Sequence, residues 1–137
     1  MYTTQQLLQD EIGGLGKLTE ALDDDGSGTL DPALVARILQ RASDAVDSFL
    51  SGRYIVPLSP VPKLAAEAAL IFACEILFNR RRQGADEKNP YTTRANNFRE
   101  ELKEISDRKK SLDATERPAF FPGAIIATPS RTQGSSL

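Results

Sequence analysis

Residues 45–62 read AVDSFLSGRYIVPLSPVP, and the fold turns on them. An apolar run at 3–4 spacing ends at Gly52, Arg53-Tyr54 follows at once, and then Pro57, Pro60 and Pro62 fall within six residues. A proline has no backbone donor and biases the residue before it towards extended geometry, so this stretch cannot stay helical. It is not a plain linker either, because Tyr54, Ile55, Val56, Leu58 and Val61 give it apolar anchors. It reads as an ordered, extended turn between two helices, with Gly52 as a left-handed terminator of the first. Arg53, beside the last carbonyls of that helix, suits the negative end of a helix dipole. It could equally pair with Asp47 or with a neighbouring subunit.

Working backwards, Asp31-Pro32 is an N-cap followed by proline at N1. Leu34, Val35, Ile38, Ala42, Ala45, Val46 and Phe49 then recur at helical spacing up to about Leu50. Ahead of that lie two short helical pieces, one capped at Thr3 or Thr4 and stopped at Gly13-Gly14, and one over Leu15–Leu22. Working forwards, a second long helix runs from Val61 or Pro62 to Arg82. Its middle is apolar nearly all round, as in a helix buried between others. Asn89-Pro90 restarts a helix to about Lys110, with Ala95, Phe98, Leu102 and Ile105 in one stripe. The fold class is therefore all-α: a small bundle of about four helices over residues 1–112, with the proline-rich turn between its two main helices. Residues 113–137 form an extended C-terminal arm. Strand content is low, with one short extended pair expected around Tyr54–Leu58 or Gly123–Thr128. Phe120, Phe121, Ile125 and Ile126 make the arm too apolar for a simple tail. They are docking anchors for another chain, or they fold back on their own core.

The composition narrows the function. The 137 residues carry a formal charge of −2, whereas a nucleic-acid-holding protein needs a net basic face. There is no histidine, and Cys74 is the only cysteine. A histidine base, a His or Cys zinc site and an internal disulfide are thus excluded. Cys74 sits in LIFACEILF and reads as a buried small hydrophobe. The polar start MYTTQQLLQDE carries no signal-peptide pattern. The apolar run Leu64–Phe78 includes Glu67 and Glu75 and is too short to span a bilayer.

Few motifs could carry chemistry. In ALDDDGSGTLDPAL, Asp23, Asp25, Ser27, Thr29 and Asp31 fall where a calcium loop places its oxygen ligands, and Gly28 falls at its sharp turn. Leu34 occupies the place of the bidentate glutamate, which leaves at best a weak Ca²⁺ site. The other reading is a turn that caps the next helix, with no ion and no cofactor. Glu100, Glu101 and Glu104 share a charged helix face with Arg99, Lys103 and Arg108, the pattern of a solvated surface. GGLG at 13–16 has neither a preceding strand nor a following Lys-Ser/Thr pair, so it is no phosphate loop. No nucleophile has a base beside it, and the chain does not read as an enzyme. Arg80, Arg81 and Arg82 form a basic cluster at a helix end. They either complement the helix dipole at the surface or, with Arg53 and Tyr54, belong to a subunit interface or a channel lining.

Taken in order, Met1-Tyr2-Thr3-Thr4, DDDGSGTLD at 23–31, AVDSFLSGRY at 45–54 and PLSPVPKL at 57–64 resemble the Mu-type small structural proteins of tailed phages and prophages. That family, long filed as a domain of unknown function, is similar to head–tail connector (adaptor, or head-completion) proteins. The resemblance covers about residues 1–112. KKSLDATER at 109–117 stands where the recurring pattern has a short glycine-bearing turn. The resemblance implies a ring, twelve-fold to match the portal, that sits under the portal, extends the DNA channel and joins the neck or tail. It implies the portal protein, a neck or tail-completion protein and further copies of the chain as partners. DNA passes without specific binding, and no membrane is involved. The location is the virion neck, reached by assembly in the host cytoplasm. By the same analogy Phe120, Phe121, Ile125 and Ile126 dock on the portal. The alternatives are a tail-completion or terminator component, or a small calcium-binding interaction module built on Asp23–Asp31.

Overall fold

The computed structural model describes residues 1–23, 26–81, 88–112, 114 and 116. Five helices follow one another among them: α1 (Gln5–Ile12), α2 (Leu15–Leu22), α3 (Pro32–Leu50), α4 (Lys63–Arg81) and α5 (Thr92–Ser106). The local chemistry explains most boundaries. Thr4 caps α1 by accepting from Leu7 N, and Gly13 ends it at φ 110°, its N–H returning to Gln9 O. A residue with a Cβ is strained at that φ, so glycine is the natural stop. Asp31 caps α3 by accepting from Ala33 N, with Pro32 in the first turn.

α4 is the centre of the molecule and packs against each of the other four helices, most extensively against α3. Ala65, Ala68, Ala69 and Ala73 are buried on it; such short side chains let neighbouring helices approach closely. Ile71, Phe72, Cys74 and Leu77 fill the remaining space. The facing helices supply Val35, Ile38, Val46 and Leu50 from α3, Leu18 and Leu22 from α2, and Ala95, Leu102 and Ile105 from α5. Each fully buried Leu or Ile contributes about 1.5–3 kcal/mol. The expectation of an all-α bundle holds, with five helices because the two short N-terminal pieces are separate elements.

Three boundaries differ from expectation. Gly52 is not left-handed: α3 gives way to a turn at Ser51, and Arg53 N and Tyr54 N both return to Leu50 O at 3.0 and 2.8 Å. Asn89-Pro90 does not begin α5. Asn89 opens a tight turn in which its Oδ1 accepts from Tyr91 N, and the helix starts at Thr92. α5 then stops at Ser106 rather than Lys110. Its end is closed by Arg108 N to Ile105 O and Lys109 N to Glu104 O, with Arg108 left-handed at φ 68°. This is the Schellman arrangement with arginine in the place usually taken by glycine.

The proline turn bends at Val56-Pro57 and again at Ser59-Pro60, where it was expected to be extended, and both peptide bonds are cis. Leu58 anchors it in the core, while Ile55 and Val61 are exposed. Among the described residues one isolated antiparallel bridge occurs, between Tyr54 and Glu116. The alternative pair over Gly123–Thr128 lies outside the described residues. No described helix is long and apolar enough to cross a membrane.

Candidate functional site

The most densely bonded polar group gathers where the end of α3, the proline turn and the end of α5 meet. Arg53 is 7% exposed there. Its Nη1 donates to Ile105 O at 2.7 Å and to Lys110 O at 2.6 Å. Its Nε donates to Glu116 Oε1 at 3.3 Å, and its Nη2 to Ser111 Oγ at 3.4 Å. A guanidinium presents five N–H donors in a fixed fork, which suits an array of carbonyls and a carboxylate. Ile105 O belongs to the last turn of α5, whose carbonyls lack helical donors and carry the negative end of the dipole. Arg53 thus does close a helix end, but the end of α5 rather than of its own helix.

Tyr54 stacks beside it, with the guanidinium carbon 5.0 Å from the ring centroid. The ring is fully buried, and its hydroxyl accepts from Leu112 N at 2.9 Å. The bridge from Tyr54 to Glu116, and the partial burial of Leu112 and Ala114 on the core, hold the start of the C-terminal arm on the helical body. The body's hold therefore reaches Glu116, beyond the boundary expected at residue 112. Glu116 also receives Arg108 Nη1 at 3.4 Å, and the hydrogen bond from Arg53 holds its carboxyl below the usual carboxylate range. An interface or channel position was expected for Arg53 and Tyr54; in this fold Arg53 has its partners on Ile105 O, Lys110 O, Ser111 and Glu116, and Tyr54 on Leu112 N.

Tyr2 anchors the opposite side of the proline turn. Its backbone N donates to Ser43 Oγ at 2.9 Å, its hydroxyl donates to Asp47 Oδ1, and the same hydroxyl accepts from Leu58 N at 2.8 Å. Burial, then the Asp47 hydrogen bond, pushes the phenol up to about 12. Asp47, a candidate partner for Arg53, is thus bound to Tyr2 instead. A second lock joins α4 to α5: Arg99 donates from Nη2 to Glu75 Oε1 and lies 5.2 Å over the Phe72 ring. Glu75 is 8% exposed, so its charge is compensated within the fold. Neither lock could be read from spacing, since the partners lie 24 to 56 residues apart.

The remaining candidates are placed as follows. Asp23 Oδ1 accepts from Ser27 N at 2.9 Å and from Ser27 Oγ at 3.3 Å, and Oδ2 accepts from Gly28 N at 2.8 Å. Gly26 and Gly28 take left-handed φ of 71° and 75° to allow this turn. Asp31 caps α3, and Ser27 Oγ meets Thr29 Oγ1 at 2.8 Å. Asp25 lies outside the described residues. Among the described residues no three Asp, Glu or Cys side chains gather as a metal site. Arg80 is exposed near the end of α4, Arg81 closes that helix, and Arg82 lies outside the described residues, as do Phe120, Phe121, Ile125 and Ile126.

The family comparison addresses identity directly. Residues 2–122 match the model of the family described as Bacteriophage Mu, Gp36. That match runs past residue 112 and takes in the arm root and Phe120-Phe121. Among curated proteins no relative matches. With nearly the whole chain covered, this protein belongs to the Bacteriophage Mu Gp36 family, a family of phage proteins.

Proposed function

We propose that this chain is the structural head–tail connector (adaptor) of a tailed phage, a ring component under the portal that extends the DNA channel and carries the neck or tail. The observation that carries the reading is the family match over residues 2–122. Two further features support it. The helical body ends in a firmly rooted arm, with Glu116 tied to Arg53 and Tyr54, and the arm sequence beyond it holds Phe120, Phe121, Ile125 and Ile126. A ring of many copies multiplies weak arm contacts through avidity. The formal charge of −2 suits a passage that DNA crosses without sticking. On this reading the protein performs no catalysis and needs no cofactor, and the arginines at the end of α4 belong to a subunit contact or the channel wall.

The test mixes the full chain with purified portal rings and, separately, with tail-tube protein, and images both. The full chain should add a ring to the portal. A chain lacking residues 118–137 should keep its helical circular dichroism and lose portal binding. Normal portal docking by the truncated chain would overturn the role of the arm. Binding to the tail tube and not to the portal would identify a tail-completion or terminator protein instead.

A further inference from the structure

A partly open cleft of about 150 Å³ lies between α1, α2, the last turns of α4 and the residues leading into α5. Ile12, Ala21, Leu77, Phe78 and Tyr91 line it, together with the buried Cys74. The Tyr91 hydroxyl is hydrogen-bonded to Cys74 Sγ, so this polar group is already used within the fold. Lys17 also lines the cleft and is exposed, and Lys88 is exposed two residues before the lining residue Pro90. We propose that this cleft docks an acidic segment of a partner protein carrying one aromatic side chain, with the ring in the cleft and the flanking carboxylates on Lys17 and Lys88.

Three observations support this occupant. The first is size: an apolar space of this volume takes a single benzene ring. The second is charge. Neither Lys17 nor Lys88 has an ion pair among the described residues. The neighbouring Arg94 and Glu11 offset each other at 3.4 Å. A chain of net charge −2 thus carries a locally cationic rim around an apolar hollow. Buried aromatic anchors supply most of the affinity of such contacts, and the charges around them set specificity and encounter rate. The third is what a second copy presents. Among the described residues the exposed large hydrophobics are Met1, Leu7, Leu15, Ile55 and Val61, none of them aromatic. The described surface of another copy therefore offers no ring to the cleft. The cleft lies at the N-terminal end of α5, beside Tyr91, and the arm root at its C-terminal end, where Arg53 ties Glu116 to Ile105. At 1.5 Å per residue the helix separates them by about 20 Å, so the subunit has a docking point distinct from its arm.

The test adds the peptide acetyl-Asp-Asp-Phe-Asp-Asp-amide to the full, isotope-labelled chain and follows the backbone amide signals by NMR. Shifts should centre on Gly13, Lys17, Ala21 and Tyr91 and should saturate at millimolar peptide. Replacing the peptide's Phe by Ala, or its Asp residues by Lys, should weaken binding by more than about tenfold. High salt should weaken the Asp peptide as well, because it screens exposed charges. In the chain carrying Lys17→Glu with Lys88→Glu, both at exposed positions, the preference should reverse in favour of the Lys peptide. Ala21→Leu, at unchanged helical content, should narrow the cleft and abolish binding of either peptide. Equal binding of the Asp and Lys peptides, shifts centred elsewhere, or no shift at millimolar peptide would overturn the proposal. So would shifts at these amides when the chain is concentrated alone, which would assign the cleft to a second copy. Contacts of the Phe120 or Phe121 ring with Ala21 in the dilute free chain would assign it to the chain's own arm and overturn the proposal equally. None of these readouts involves a portal, so a failure of portal binding is seen separately.

Discussion

Arg53 Nη1 lies 2.7 Å from the carbonyl oxygen of Ile105, fifty-two residues further along the chain. One guanidinium therefore joins the exit of α3, the close of α5 and the root of the arm. Arg53→Ala should leave Ile105 O and Lys110 O without this donor in a buried setting, and should lower stability by about 3 kcal/mol in urea titrations. Arg53→Lys should recover only part of this loss, because an ammonium cannot reproduce the fork. Equal midpoints for wild type and Arg53→Ala would contradict the role.

Arg108 holds a left-handed backbone at φ 68° that glycine adopts more readily. Its ion pair with Glu116 is solvent-exposed and contributes little. Arg108→Gly should therefore raise stability, by about 0.5–1 kcal/mol, with the helical signal unchanged. A loss of stability would mean that the exposed pair outweighs the backbone strain.

The Tyr2 hydroxyl bridges Asp47 and Leu58 N. Tyr2→Phe should cost about 1–2 kcal/mol at neutral pH, because the Leu58 N–H loses its acceptor. The pH dependence follows from the same burial. Tyr2 is raised from 10.0 to about 12, and burial also pushes the Cys74 thiol from 9.0 to about 12. The folded state holds these protons more tightly than the unfolded one. Their stabilisation is thus complete below about pH 9 and is lost as the pH rises towards 12. Thermal melts across this range should fall steadily, and Tyr2→Phe should flatten the part above pH 10.

The loop at Asp23 already spends both carboxylate oxygens on Ser27 and Gly28, and Leu34 takes the place of the bidentate ligand. Millimolar Ca²⁺ should leave the melting temperature unchanged. A clear rise would revive the calcium-binding module.

How much was legible depended on the distance over which each cause acts. The start of α3 was readable because Asp31 and Pro32 are adjacent to the helix they begin. The burial of α4 was readable because its apolar residues surround the whole helix. The stop at Gly52 was misread, since a plain turn onto Leu50 O ends α3 without a left-handed residue. The start of α5 was misread because the Asn89 side chain serves its own turn and reaches back to Glu75 O and Asn79 Oδ1. At the candidate site the sequence singled out Arg53 and Tyr54 but not the partners they take within the subunit. Their partners, Ile105, Lys110, Leu112 and Glu116, are brought near only once α4 and α5 have folded back. No local pattern encodes that meeting.

The attachment of the arm also sets a load path. A pull on the arm meets Glu116 first and passes through Arg53 and the Tyr54 bridge into the junction of α3 with the proline turn. The tension thus enters the central α3–α4 pair directly, instead of unwinding α5 from its free end. Such an attachment gives way first at the half-exposed Glu116–Arg53 pair and leaves the buried Arg53 and Tyr54 in place, so the helical body outlasts its tether.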